Sequence, residues 1–483
     1  MTCCLCTFET SKLDTNLAAV CNKGPCQICR AVTDVEEEIN QVVATLQRLI
    51  AKRRYLLSEH NRVHDTLINS LPAELKNYIF ELLLPSRDEW GEIPATGTNE
   101  MSTFLASISI CKGWRNIALS NPFLWTSMHI SPRTPILSWI PLSGTLPLTL
   151  HIQGTDHDQE WSRKVLTHLM SHYSDRLQSL SLGSPVPVTS GAQHDNFQYH
   201  RLKRLRIMIP SGLDDVEFNK PLSFLNPTAS PEMIEIESVS IRCLQISWNR
   251  LTSATVEDLD LEDLTQLFQH ASQMTHCEIL LLRRSPDIDN YSMPPIIHHG
   301  LKTLLCSAQE WEVAPILLGS LTLPCLQKLI IDETVLLTLL PALVHRSSCP
   351  LTKLTLSHDF RCGDELSLDK FQPLTGVTDL VVGDMEKEPA VIQGLLLNGY
   401  FPDLRHLTLR FQPFMELWDI GFISLLLDLK RPRPGEPNEG KLHKFLVVDE
   451  DSVPRFHLMW NSDVGKELKA LNIGLRKDGF EFF

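Results

Sequence analysis

Six of the thirteen cysteines fall at positions 3, 4, 6, 21, 26 and 29. Cys3-x-x-Cys6 and Cys26-x-x-Cys29, with nineteen residues between them, have the spacing of two thiolate pairs that close a tetrahedral zinc site. Cys4 and Cys21 blur that register, and the residues between the pairs carry little strand pattern. A tail of reduced thiols is therefore the competing expectation for residues 1–30. His168 and His172 stand at i and i+4, the spacing of zinc hydrolases. Leu169 follows the first histidine where such an enzyme needs its general-base glutamate. Gly435-x4-Gly440-Lys441 imitates a phosphate loop, but Leu442 replaces the magnesium-binding Ser or Thr, and the segment leads into a strand rather than a helix. Asp449-Glu450-Asp451 reads as a solvated charge run, and no G-x-S-x-G elbow occurs. No catalytic residue is expected, and the chemistry expected of this chain is binding.

The composition narrows what is bound. The 483 residues carry 44 Lys and Arg against 58 Asp and Glu, a formal net charge of −14. That disfavours general nucleic-acid binding, which relies on basic surface to release counterions. Hydrophobic residues make up 43%, enough to bury a core. The N-terminus lacks a basic stretch followed by an apolar run, and no segment has the roughly 18 apolar residues of a membrane span. The richest stretch, Val335 to Val344, is short and contains Pro341. The seven remaining cysteines are scattered, unlike a disulfide framework. The expectation is an acidic protein of the cytoplasm or nucleus, with no membrane or nucleic-acid partner.

Three segments would position a binding surface. Thr33 and Glu36 fit a capping box that opens a helix over 33–68, with Glu36, Glu37 and Glu38 at the positive end of its dipole. Val35, Ile39, Val42, Leu46, Leu49, Arg53, Leu56, His60, Val63 and Leu67 step by fours and threes, a coiled-coil seam broken at Arg53 and His60. Such a helix either packs on its own chain or pairs in a homodimer. Residues 70–127 contain three short helical patterns separated by an aperiodic loop at 85–103. From about 145 onward, apolar-x-x-apolar-x-apolar recurs. Examples are Leu177, Leu180, Leu182; Leu202, Leu205, Ile207; Ile241, Leu244, Ile246; and Leu326, Leu329, Ile331. Starts from 274 to 404 are spaced by 27, 25, 25, 26 and 27 residues, the period of leucine-rich repeats. The fold class expected for 145–483 is an α/β solenoid with a parallel sheet and outer helices, because one repeat cannot bury its apolar face alone.

Residues 70–127 resemble an F-box through Leu71-Pro72-x-Glu74-Leu75, Ile79-Phe80, Ile110-Cys111-Lys112-x-Trp114-Arg115 and Pro122-x-Leu124-Trp125. The order of helix, F-box and irregular leucine-rich repeats is similar to the F-box proteins abundant in mushroom-forming fungi, over about residues 31–483. The resemblance implies a substrate receptor of an SCF-type cullin–RING ubiquitin ligase, docked on a Skp-type adaptor. Leu71, Pro72, Leu75 and Ile79 would then sit in or beside the adaptor contact. Ile108, Cys111, Trp114 and Trp125 would mix contact with packing. The 85–103 loop is longer than a compact F-box needs, which leaves open a repeat scaffold that engages no ligase.

The residues between the buried ones in each strand point to the other sheet face. Arg204, Arg206, Lys328, Lys353, His406 and Arg410 lie there. A basic stripe would recognise an acidic or phosphorylated protein target, and an ordinary solvated face is the alternative. The sequence does not name the target.

Overall fold

The computed structural model describes residues 27–64, 71–84, 105–109, 112–130, 139–153, 159–183, 197–208, 222, 225–282, 293–307, 313–361, 373–382, 400–411, 444–449, 473–477 and 480–482. Two compact units divide between Leu124 and Trp125.

The first unit begins with α1 (Gln27–His64). The expected start at Thr33 is corrected. Gln27 to Val32 contains neither Pro nor Gly, so nothing stops the helix from extending back through the supposed cap. Thr33 is therefore an interior helix residue. Next comes α2 (Ala73–Leu83). Pro72 precedes it with φ −55°, and its carbonyl accepts from the Lys76 N–H at 3.2 Å, so the missing proline N–H costs nothing. A helical turn at 105–108 and α3 (Lys112–Ser120) complete the unit. Phe80 of α2, fully buried, meets Trp114 of α3 edge-to-face at 5.2 Å. Asn121 Nδ2 donates to Asn77 Oδ1 at 3.3 Å and ties the end of α3 to the middle of α2.

The second unit is an α/β arrangement built on an open sheet, of fifteen strands among the described residues. Its strands are β1 (Ser127–Ile130), β2 (Leu148–Gln153), β3 (Leu177–Gly183), β4 (Arg204–Met208), β5 (Met233–Glu237), β6 (Ser253–Glu257) and β7 (His276–Ile279). Past β8 (Ile296–Ile297) come β9 (Thr303–Cys306), β10 (Leu321–Thr322), β11 (Lys328–Glu333), β12 (Lys353–Arg361), β13 (Asp379–Val382) and β14 (His406–Phe411). The series closes with β15 (Lys444–Asp449), β16 (Ile473–Lys477) and β17 (Phe480–Phe482). Neighbours in the sheet follow chain order, every pairing is parallel up to β16, and β17 returns antiparallel. The short β8 and β10 pair with each other outside the main sheet.

Alternation drives this. Leu205 and Ile207, Ile234 and Ile236, Ala254 and Val256, Cys277 and Ile279, Leu304 and Cys306, Leu329 and Ile331, and Leu354 and Leu356 sit in register and are buried. Against them lie return helices. These are α4 (Gln159–Tyr173), with Leu166, Leu169 and Met170 buried, and α5 (Leu261–His270). Then come α6 (Val313–Ser320) and α7 (Thr334–Ser347).

Two sequence expectations change here. The triplet Ile241, Leu244, Ile246 is not a strand: 241–243 is a tight helical turn, and all three residues are buried. The strands β5 and β6 lie on either side of it, where Ile234-x-Ile236 and Ala254-x-Val256 supply the alternation. The sheet also begins at β1, residue 127, and not near 145.

Polar devices lock each strand segment of this sheet to the one before it. Arg176 Nε donates to Leu146 O at 3.0 Å, and its Nη2 reaches Ser143 Oγ at 2.6 Å. Arg346 repeats the arrangement at the end of α7, with Nε on Leu321 O at 3.0 Å and Nη2 on Leu318 O at 2.6 Å. The hydroxyls of Thr252, Thr275, Thr352 and Thr378 each donate to a carbonyl one strand earlier. Asp263 is buried in the first turn of α5, where it accepts from Ser240 Oγ at 2.7 Å and Ile241 N at 3.0 Å. Burial pushes its carboxyl above the usual range despite those hydrogen bonds. His298 Nε2 donates to Ala271 O at 2.9 Å while Nδ1 accepts from Leu301 N at 3.1 Å. Beside it, a Cβ on Gly300 would stand 3.0 Å from Met274 O, so the residue there has none.

Candidate binding surfaces

The first surface lies on α2. A helix packed along one stripe leaves its other stripe to solvent. Phe80 is the buried side, and Leu75, Tyr78 and Leu82 at i, i+3 and i+7 are exposed. Pro72 is exposed, and Leu71 and Ile79 are half-buried. Leu119 at the end of α3 and Phe123 just beyond it are exposed too. The expected adaptor residues therefore separate. Leu71, Pro72, Leu75 and Ile79 retain accessible surface, whereas Ile108 and Trp114 are buried core. Trp125 is buried in the second unit, 5.9 Å ring to ring from Trp139. Cys111 lies outside the described residues. Spacing alone groups Leu75, Ile79, Leu82 and Leu83 on one face, and it missed that Tyr78 joins the exposed stripe and that Phe80 backs it from inside.

The second surface is the sheet face opposite the core. Register places Arg204, Met233, Ser253, His276, Thr303, Lys328, Lys353, Asp379 and His406 in one row. The next row runs Ser181, Arg206, Glu235, Thr255, Glu278, Leu305, Ile330, Thr355, Val381 and Thr408. The expected basic stripe is thus interrupted. Four strands separate Arg204 from Lys328, and Glu235, Glu237, Glu257 and Glu278 occupy the gap. Arg206 Nη2 pairs with Glu235 at 2.9 Å and is partly neutralised within the sheet, and His406 Nδ1 shares a 2.8 Å hydrogen bond with Asp379. Lys328 and Lys353 stand side by side in register. The side chain of Arg410 is outside the described residues, although its backbone belongs to β14.

The acidic stretch is crowded. Ser238 and Asp258 leave their strands with φ of 58° and 56°, in the left-handed region, at equivalent points of successive repeats. Ser238 Oγ donates to Asp258 Oδ2 at 2.7 Å. Burial, with the charges of Glu257 and Asp258 alongside, raises the Glu237 carboxyl above its ordinary value although Arg206 opposes the shift. Asp379 moves the other way. Burial would raise it, but hydrogen bonds from Thr378 and His406, with the charges of His406 and Lys353, hold it below the usual carboxylate range. At β2 and β3 this face is closed: Ser179 and Ser181 are buried, and His151 Nδ1 shares a 2.7 Å hydrogen bond with Ser181 Oγ.

The zinc expectation rests on Cys3, Cys6 and Cys26, which lie outside the described residues, and on Cys29, of which only the helical backbone is described. Among the described residues no group of three or more His, Cys, Asp or Glu is placed to hold a metal. His168 and His172 stack at 4.3 Å on α4, and burial, then the neighbouring His172, lowers the pKa of His168. No described helix is long and apolar enough to cross a membrane. No model of a known protein family matches the chain, and no curated protein matches it either.

Proposed function

We propose that this chain is a non-catalytic substrate receptor of an SCF-type cullin–RING ubiquitin ligase, with residues 70–127 acting as an F-box for a Skp-type adaptor. What carries the proposal is the exposed stripe Leu75, Tyr78 and Leu82, opened by Leu71-Pro72 and anchored from behind by Phe80 on Trp114. An apolar stripe of this kind on a short helix suits a helix-in-groove contact. In the same reading the second unit is a leucine-rich-repeat solenoid. Its support is the chain-order succession of parallel strands with return helices. The open sheet face around Lys328, Lys353, Leu305 and Ile330 is where a protein target would rest, its acidic or phosphorylated groups toward the two lysines.

Co-purification of the full chain with a Skp-type adaptor tests this. A stoichiometric complex is expected, and Leu75→Asp with Leu82→Asp should abolish it while circular dichroism stays unchanged. Failure of the unmodified chain to bind would overturn the ligase reading and leave a repeat scaffold without ligase attachment.

A further inference from the structure

The seam of α1 is open. Val42, Leu46 and Leu49 are 66%, 55% and 54% exposed, and Val35, Ile39 and Leu56 are comparably bare. Val43, Ile50 and Leu57, each one residue past a seam position, are exposed as well and widen the stripe. The packing of this helix on its own chain, one of the two sequence expectations, is thus not what the described residues show. An apolar stripe running most of the length of a 38-residue helix is a large surface to leave in water.

Charge along the helix selects the occupant and its direction. Glu36, Glu37 and Glu38 lie toward the N-terminal half, and Arg48, Lys52, Arg53 and Arg54 toward the other. In a parallel in-register pair every seam residue faces itself. Arg53 would meet Arg53 inside the seam, and His60 would meet His60, two polar rings at one level. Like charges so placed oppose pairing. Turning the second copy end for end removes each conflict. With the two-fold axis at Ala44, near the middle of the helix, Val42 falls opposite Leu46 of the second copy, Ile39 opposite Leu49, and Val32 opposite Leu56. Arg53 then falls opposite Val35, where its aliphatic stem can pack and its guanidinium can reach Glu36. Glu38 and Lys52 come to the same flank from opposite chains.

We propose that α1 is a self-association helix that pairs antiparallel with a second copy of this chain, centred on Ala44. This pairing does not depend on adaptor binding. Sedimentation of the full chain should show a concentration-dependent dimer. Val42→Asp with Leu46→Asp should leave only monomer with unchanged circular dichroism. Glu38→Lys alone, or Lys52→Glu alone, should weaken the dimer by about tenfold, and the two together should restore it. A full chain that is monomeric at every concentration would overturn the proposal. So would a dimer indifferent to both charge reversals, since a parallel pair sets Glu38 and Lys52 against Val43 and Leu57.

Discussion

The two faces of the long sheet are built on the same strands and obey opposite rules. On the core face nearly every position is Leu, Ile, Val or a buried cysteine such as Cys277 or Cys306, and exposure falls to zero along most of it. On the other face the residue type changes from strand to strand: arginine, glutamate, threonine, lysine, leucine. The first face is fixed by burial, since a polar side chain there would have no partner. The second is free of that demand, so its residue types can change from strand to strand.

That contrast can be broken at graded cost. Leu329→Ala removes a fully buried side chain between Leu304 and Leu354 and should cost about 2–5 kcal/mol by chemical denaturation. Arg346→Ala strips the hydrogen bonds to Leu318 O and Leu321 O that join consecutive units, and should cost about 1–3 kcal/mol. Changes on the open face should be smaller. Glu237→Gln should stabilise at neutral pH by roughly 0.5 kcal/mol or less. Its raised carboxyl pKa means the charged form is penalised once pH exceeds that raised value, and the penalty vanishes below the ordinary value near 4.5. The gain should therefore fade in acid. Asp379→Asn should cost a few tenths, about 0.3 kcal/mol, because the pair with His406 is largely solvent-exposed. Its lowered pKa gives stability that is present above the ordinary value and lost as pH falls through the lowered one. A loss on the open face as large as that of Leu329→Ala would erase the distinction.

The core face was written plainly in the sequence because burial forces a narrow alphabet at fixed spacing. Leu326, Leu329, Ile331 and Leu351, Leu354, Leu356 could be read directly as strands. The misreading of Ile241, Leu244 and Ile246 has a physical origin. A buried return segment needs apolar residues as much as a strand does, and spacing alone did not separate it from β5 and β6. The open face was harder. Arg204, Arg206, Lys328, Lys353 and His406 were correctly assigned to one face by alternation. The pairing of Arg206 with Glu235 and of His406 with Asp379 depends on register between strands some 27 to 29 residues apart, which no local pattern reveals. In α2 spacing groups Leu75 and Leu82 on one apolar face, but that this face meets solvent follows only from Phe80 packing on Trp114 from the other side.

Amide hydrogen exchange of the full chain, with and without a Skp-type adaptor, puts the docking stripe of α2 to the test. Slowed exchange across residues 71–84 and 112–123 is expected on adding the adaptor, with β4–β14 unchanged. No complex, or protection confined to the sheet, would contradict it.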